Sequence, residues 1–242
     1  MTIPFQKGRF TVRFAASTAD VTACQLLRHR CFFGTSGVDI DQFDAHCRHL
    51  LVENQTGRLV ATVRLFETTS GAQITQGYAA QYYDLSSLAA VQKPMIEIGR
   101  FCVAPDVMDA DVLRVAWGAL THLVDAGQVA MLFGCTSFAG TDPARYGRTF
   151  TRLAANHLGP DTLRPAVKAA DVLPFAQIST LGTDPMPPLL RTYLAMGGWV
   201  SDHAVIDPKM NTLHIFTCLE VATIPSSRAQ ALRALAQDAS LS

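Results

Sequence analysis

Residues 95–103 read MIEIGRFCV, an apolar run that predicts a buried strand with an acid and a base set into it. Glu97 and Arg100 are flanked by Met95, Ile96, Ile98, Phe101, Cys102 and Val103. Any fold that buries this strand must also give both charges partners, because an unpaired ion in the interior costs several kcal/mol. Strand side chains alternate, so Glu97 and Gly99 share one face while Ile98 and Arg100 share the other. A regular strand therefore pairs these two charges poorly. Gly99 predicts a bulge that re-aims the residues after it, turning both charges into one cleft and freeing a backbone N–H to face a developing oxyanion. An ordinary structural ion pair, or an edge strand with one wet face, satisfies the same residues, and the strand alone leaves these readings open.

Further charges sit at comparable places. The polar connection DIDQFDAH carries Asp39, Asp41 and Asp44, of which Asp41 and Asp44 share a face if the chain makes a helical turn there. Arg64 lies within the apolar stretch TVRLF, and Arg28 lies in the first helix near Phe32. Loop acids are usually solvated and helix arginines usually extend to water, so the joint occurrence is the informative feature. A cleft of this kind suits an amine that carries its own carboxylate: acids hold the amine, and arginines fork the carboxylate.

The rest of the chain bounds the class. With 20 Lys and Arg against 20 Asp and Glu, the formal net charge is zero, so no global field draws the protein to nucleic acid. No apolar run approaches the roughly 18 residues of a membrane span, and MTIPFQKGRF lacks the apolar core of a signal peptide. The cysteines contain no C-x-x-C pair, so neither a disulfide framework nor a metal site is expected and a cytoplasmic setting fits. RFTVRFAA alternates as a first strand, and Ser17 or Thr18 can cap the helix after it. RHLLVEN and RLVATVRLFET flank QTG as a hairpin. Residues 109–127 and 142–157 predict helices, 129–138 a buried strand, and the TDPMPP stretch leads into a further helix. WVSDHAVID and TLHIFTCLEV form an antiparallel pair, and residues 226–240 predict an exposed amphipathic helix. The expected fold class is α/β of the α+β kind: residues 1–225 as one domain with a mainly antiparallel mixed sheet flanked by helices, a helical insertion at about 141–197, and a tail at 226–242.

Over roughly residues 26–220, LLRHRCFF, DQFDAHCRHLLVEN, LVATVRLF and EIGRFCVAP resemble both the acyl-homoserine-lactone synthases and the ornithine-lipid acyltransferases, on a GNAT-like fold. CTSFAGTDPAR, NHLGPDTLRP, LLRTYLAMGGWV and DPKMNTLHIF resemble the latter family. Where the lactone synthases carry a tryptophan after the helix phenylalanine, this chain has Val38, which speaks against an S-adenosylmethionine pocket. The resemblance implies transfer of a 3-hydroxyacyl chain from acyl carrier protein to the α-amine of L-ornithine, with the carrier's phosphopantetheine as part of the donor and no other cofactor. It assigns Glu97, Arg100, Asp41 and Asp44 to the chemistry, with Glu97 as a base whose burial raises its pKa. Arg28, Phe32, Arg64, Gly99, Phe101, Cys102, Ser137 and Phe138 are assigned to substrate binding, with an acyl groove lined by residues such as Phe101 and Phe138.

The loop APDVMDAD, with three aspartates and neither glycine nor cation, predicts a surface that repels a pyrophosphate and so favours a carrier-bound thioester over free CoA. Arg145, Arg148 and Arg152 fall on one face of the 142–157 helix and are expected to dock the acidic carrier. The same chemistry on another amino acid such as glutamine, a lactone synthase and a haemolysin-like membrane-binding protein are the alternatives. A peripheral contact with the inner membrane face through the terminal helix is also expected, since the product is a lipid.

Overall fold

The computed structural model describes residues 3–178 and 186–237. Thr183, Asp184 and Pro185 of the TDPMPP stretch, and residues 238–242 of the expected tail, lie outside the described residues. In chain order the strands and helices begin with β1 (Phe5–Lys7), β2 (Phe10–Phe14), α1 (Thr18–Phe33), β3 (Arg48–Asn54) and β4 (Leu59–Thr68). They continue with β5 (Tyr83–Asp84), β6 (Met95–Val103), α2 (Ala110–Ala126), β7 (Met131–Ala139) and α3 (Gly147–Asn156). The remainder are β8 (Ala166–Val167), β9 (Val172–Pro174), α4 (Pro188–Ala195), β10 (Trp199–Asp207), β11 (Thr212–Glu220) and α5 (Ser226–Gln237). Of the registered strand pairs, β6–β7 is parallel and the others are antiparallel, as the strand–helix order predicts. β1, β5, β8 and β9 have no counterpart among the expected elements; the last two lie within the segment that reads as a helical insertion.

The chain forms two compact units. The first comprises residues up to Glu67, Ile98–Val129 and the C-terminal segment from Ser226; the second comprises Thr68–Glu97 and Ala130–Pro225. In the first unit the strand order is β1-β2-β3-β4, then the later half of β6. Asn54 closes the β3–β4 hairpin by accepting the N–H groups of Thr56 and Arg58 on its side-chain oxygen, at 3.1 and 3.0 Å. Ser17 caps α1 by accepting the Asp20 N–H at 3.2 Å, which satisfies a donor with no helical partner. Asp109 does the same for α2 through Asp111, at 2.9 Å. Central β3 and β4 are buried along both faces, and Val112, Val115, Ala116, Ala119 and Leu120 of α2 are buried with them. Each fully buried Val or Leu contributes about 1.5–3 kcal/mol.

The terminal helix forms where the sequence predicts it and is mostly exposed, with its remaining face packed on α2. A Cβ on Gly118 would meet the Leu235 carbonyl at 3.3 Å, and Arg233 forks Asp125 with two bonds of 3.0 Å.

In the second unit the order is β6-β7-β11-β10-β9. The β6–β7 register runs from Met95↔Met131 to Glu97↔Phe133. The β7–β11 register is longer, from Ala139↔Thr212 to Met131↔Glu220. Two aromatic clusters form on this sheet: Tyr83, Phe133, Trp199 and Phe216 in one, and Phe138, Tyr146, Phe150 and Phe175 in the other.

Candidate active site

In the first unit, six charged side chains from four elements form one network. Arg28 projects from α1 with no exposed surface. Its Nε donates to Asp39 at 2.7 Å, its Nη1 to Asp44 at 2.8 Å and its Nη2 to the Asp39 carbonyl at 2.5 Å. Arg64 on β4 donates through Nη1 to Asp41 at 2.6 Å and to Asp44 at 2.8 Å. Arg100 on β6 donates through Nε to Asp39 at 2.9 Å and approaches Asp41 at 3.4 Å. The guanidinium of Arg100 also lies 5.4 Å from the centre of the Phe32 ring, an attractive arrangement for a cation and a π-face.

Local folding explains how the acids converge. The Asp44 N–H donates to the Asp41 carbonyl at 3.3 Å, while the Asp41 side chain accepts the Phe43 N–H at 2.9 Å. That turn sets the two carboxylates side by side, as the three-residue spacing predicts. Burial by itself would raise the pKa of Asp39, but the charges of Arg100 and Arg28 outweigh it and the net direction is downward. Asp44 behaves alike: burial opposes, the bonds from Arg28 and Arg64 prevail, and its pKa is lowered.

Three members of the network are missing from the site that the sequence predicts. Asp39 reads there only as a loop acid, yet it is the carboxylate shared by Arg28 and Arg100. Gln25 donates to Asp44 at 2.8 Å; its signal is its position one helical turn before Arg28. His49 pairs across the hairpin with Arg64, and its Nε2 lies 3.2 Å from the Asp44 carbonyl, so that nitrogen carries the proton. Burial lowers the pKa of this imidazole.

Arg28 is spent on these acids, which corrects its expected role as a substrate contact. Its guanidinium is buried because, with this many partners, it needs no water.

In the second unit, Glu97 is 3% exposed. Its carboxylate accepts the N–H of Tyr78 at 2.9 Å and that of Ala79 at 2.7 Å, one on each oxygen. These donors open the short 3-10 turn Ala79–Gln81, so the acid also anchors the segment after β4. Nothing in the strand pattern of 95–103 indicates that partner.

Within β6 the left-handed backbone falls on Arg100, with φ +51°, and not on Gly99. A Cβ on Gly99 would stand 3.9 Å from the Arg64 Nε, an ordinary contact. The left-handed conformation costs a non-glycine residue roughly 1–2 kcal/mol. It persists where the surroundings over-determine it, here through Asp39, Asp41 and Phe32 around the Arg100 guanidinium.

Other predicted residues fall elsewhere. Phe101 is half-buried with its ring 6.2 Å from Trp117, and Cys102 is 4% exposed. Phe138 does not line a groove: it is 1% exposed and packs on Tyr146 and Phe150 at 5.0 and 4.9 Å. Ser137, exposed, points to the opposite face because neighbouring strand residues alternate. Arg145, Arg148 and Arg152 are all exposed. Arg145, however, belongs to the 3-10 turn Pro143–Tyr146 that precedes α3, so the three do not share one α-helical face.

The acidic loop is also not a bare negative surface. Asp106 is bound by Arg58 at 2.5 Å and Arg30 at 3.4 Å, Asp109 by Arg9, and Asp111 by Arg114 at 2.8 Å. Cations distant in sequence neutralise Asp106 and Asp109, and a helix neighbour neutralises Asp111, which removes the electrostatic argument against a pyrophosphate.

The family model described as acetyltransferase (GNAT) domain matches residues 28–118, the segment that holds the network and Glu97. An N-acyl amino acid synthase from uncultured soil microbes shares the fold, with a TM-score of 0.51, 14% identity and coverage of 96% of this chain and 98% of that one. The L-ornithine Nα-acyltransferase of Rhodobacter capsulatus is 30% identical over 87% of this chain and 90% of its own length. That of Brucella abortus is 30% identical over 90% and 87%. On that near full-length similarity, the chain belongs to the L-ornithine Nα-acyltransferase family.

Proposed function

We propose that this protein acylates the α-amine of L-ornithine with a 3-hydroxyacyl chain taken from acyl carrier protein, giving lyso-ornithine lipid. The observation that carries this reading is the 30% identity to L-ornithine Nα-acyltransferase across 90% of that enzyme's length. The reaction is aminolysis of a thioester. The ammonium loses a proton to a base, the amine attacks the thioester carbon, and the tetrahedral oxyanion collapses to amide and thiol.

Glu97 is the base in this reading. Each of its oxygens holds one backbone N–H and keeps a further lone pair, with which it takes the proton directly or through one water. A backbone N–H in the stretch 99–101, where β6 leaves strand geometry at Arg100, serves as oxyanion donor. Such a donor is worth on the order of 10²–10³ in turnover. Asp41, Asp44, Arg64 and Arg100 orient the amino acid, whose carboxylate suits a guanidinium and whose amine suits an acid. Phe101 contributes to the acyl groove. The donor's phosphopantetheine is the only cofactor-like group required, and the exposed Arg148 and Arg152 are offered to the acidic carrier. No helix among the described residues is long and apolar enough to cross a membrane. The reading places the reaction in the cytoplasm, at the inner membrane face where the lipid product is delivered.

Lipid extraction from a bacterial host expressing the chain, followed by mass spectrometry, tests this directly. Lyso-ornithine lipid bearing a 3-hydroxyacyl chain is the expected product. A glutamine head group, a homoserine lactone or no new lipid overturns the assignment.

A further inference from the structure

Beside the network, within the first unit, lies a cavity of about 500 Å³. Thr18, Val21, Thr22 and Gln25 line it as one stripe of α1 at helical spacing, and Asp44 and His49 line it as well. The cavity and the charged network therefore share Asp44.

The buried polar groups of this lining are acceptors that lack donors. Gln25 is 7% exposed and gives its amide N–H to the Asp44 carboxylate at 2.8 Å. A carboxylate only accepts, so the amide nitrogen must face Asp44, and the Gln25 Oε1 is left with no donor among the described residues. His49 is 3% exposed. Its Nε2 proton goes to the Asp44 carbonyl at 3.2 Å, which leaves Nδ1 as a bare lone pair, buried and without a partner among the described residues. Thr22 donates its hydroxyl proton to the Thr18 carbonyl at 2.9 Å, so its oxygen too can only accept. The Asp44 carboxylate already accepts from Arg28, Arg64 and Gln25 and offers the cavity no further bond.

The arginine of the lining is engaged elsewhere. Arg48 pairs with Glu67 at 2.9 Å, and its guanidinium lies 3.4 Å from the centre of the Phe14 ring. A buried acceptor without a donor is costly, so the cavity favours a ligand that brings N–H groups and no acceptor of its own. A primary ammonium brings three such donors.

We infer that this cavity receives the side-chain ammonium of the amino-acid substrate, and that Gln25 and His49 set the preference for a basic ω-amine over an amide or an apolar tail. The identity of the ligand rests on the acyltransferase reading above; the unpaired acceptors do not. Arg64 Nη1 bridges Asp41 and Asp44, so the acids that orient the amino acid adjoin the cavity, and one molecule reaches both. Norvaline, which is ornithine without its terminal amine, would leave the acceptors unpaired. The amide of glutamine would set an oxygen against them beside its N–H groups. A site built to hydrogen-bond one substrate group rejects the analogue that lacks it.

The test compares acylation of L-ornithine, L-norvaline and L-glutamine by the full chain, with one 3-hydroxyacyl thioester, in the wild type and in Gln25→Leu and His49→Phe. The wild type is expected to favour ornithine over norvaline in kcat/KM by roughly 10²-fold or more. Each substitution is expected to narrow that ratio roughly tenfold, chiefly through a higher KM for ornithine. A substitution that only loosened the network around Asp44 would lower both substrates alike and leave the ratio unmoved. Equal use of ornithine and norvaline by the wild type, or parallel losses in the variants, overturns the inference and leaves the acyltransferase assignment standing. If no amino acid is acylated, that assignment fails, and thermal melts decide the cavity. Ornithine raising the Tm of the wild type but not of Gln25→Leu, with norvaline raising neither, supports it; no such difference overturns it.

Discussion

Arg28 and Asp39 are joined twice: the guanidinium Nε donates to the carboxylate at 2.7 Å, and Nη2 donates to the backbone carbonyl at 2.5 Å. The first bond fixes the side chain of Asp39, and the second fixes the loop on which it rides. Since Arg28 is wholly buried, removing its partner strands a charge. Asp39→Asn is expected to lower stability by about 3 kcal/mol, and Arg28→Ala by about 3–5 kcal/mol. Urea denaturation followed by circular dichroism measures both. A loss below about 1 kcal/mol for either variant contradicts a buried, fully used pair.

The base role proposed for Glu97 can be separated from its structural duty. Glu97→Gln keeps one carbonyl oxygen to accept an N–H but loses the second acceptor and the base. Turnover is expected to fall by about 10²–10⁴, with stability lowered by about 1–3 kcal/mol for the N–H left without a partner. If the acid limb of the kcat/KM profile persists in this variant at reduced height, another group is the base.

The network is legible in the sequence because its members sit where solvated charges do not belong: Arg64 inside TVRLF, Glu97 and Arg100 inside MIEIGRFCV. The three-residue spacing of Asp41 and Asp44 indicates their convergence, since a single turn suffices. The illegible part is non-local. Asp39 looks like any loop acid until α1 and β6 bring two arginines to it. The partners of Glu97 are backbone N–H groups at Tyr78 and Ala79, and a backbone donor has no sequence signature. The acidic loop misleads for a related reason, because Arg9, Arg30 and Arg58 reach it from elements far away in the chain. Phe138 reads as a groove residue because composition reports that a strand residue is apolar but not which layer covers it.

Conformational demand in this part of β6 lies on Arg100. Gly99→Ala is therefore expected to fold with stability changed by less than about 1 kcal/mol, since its Cβ would make only an ordinary contact with Arg64. Arg100→Gly removes roughly 1–2 kcal/mol of backbone cost but also the bonds to Asp39 and Asp41, so its turnover collapses without a matching loss of stability. Thermal melts paired with acylation assays separate the two effects. A Gly99→Ala variant that fails to fold returns that demand to the glycine.

Acid should weaken both units, the first through His49, whose pKa burial lowers, and the second through His214. Burial lowers the His214 pKa to about 4, with Asp207 opposing and His203 assisting. Its Nδ1 lies 3.1 Å from the Tyr83 hydroxyl, and its Nε2 has no partner among the described residues. Below about pH 6.5 the unfolded chain takes up a proton that the folded chain refuses until about pH 4, so stability falls as pH drops through that window, by up to about 3 kcal/mol. Asp39 and Asp44 act at lower pH. Their folded pKa values are depressed, so their contribution is present above about pH 4 and is lost below it. Denaturant melts from pH 7 to pH 4.5 should show a slope that His214→Phe flattens; an unchanged slope assigns the acid sensitivity to other groups.

The carrier docking proposed for Arg148 and Arg152 can be tested apart from catalysis. Arg148 lies in the first turn of α3 and Arg152 one turn further on, four residues apart and therefore neighbours on the helix surface. An exposed ion pair is worth about 0.2–1 kcal/mol, so reversing both to glutamate should raise KM for the carrier-bound donor roughly three- to tenfold while leaving kcat in place. The same enzyme given an acyl-pantetheine thioester without the carrier should be indifferent to the substitutions, because no acidic surface remains to meet them. Added salt should narrow the gap between wild type and variant with the carrier and leave the small thioester unaffected. Equal effects on both donors place the two arginines in the substrate path instead of on a docking surface.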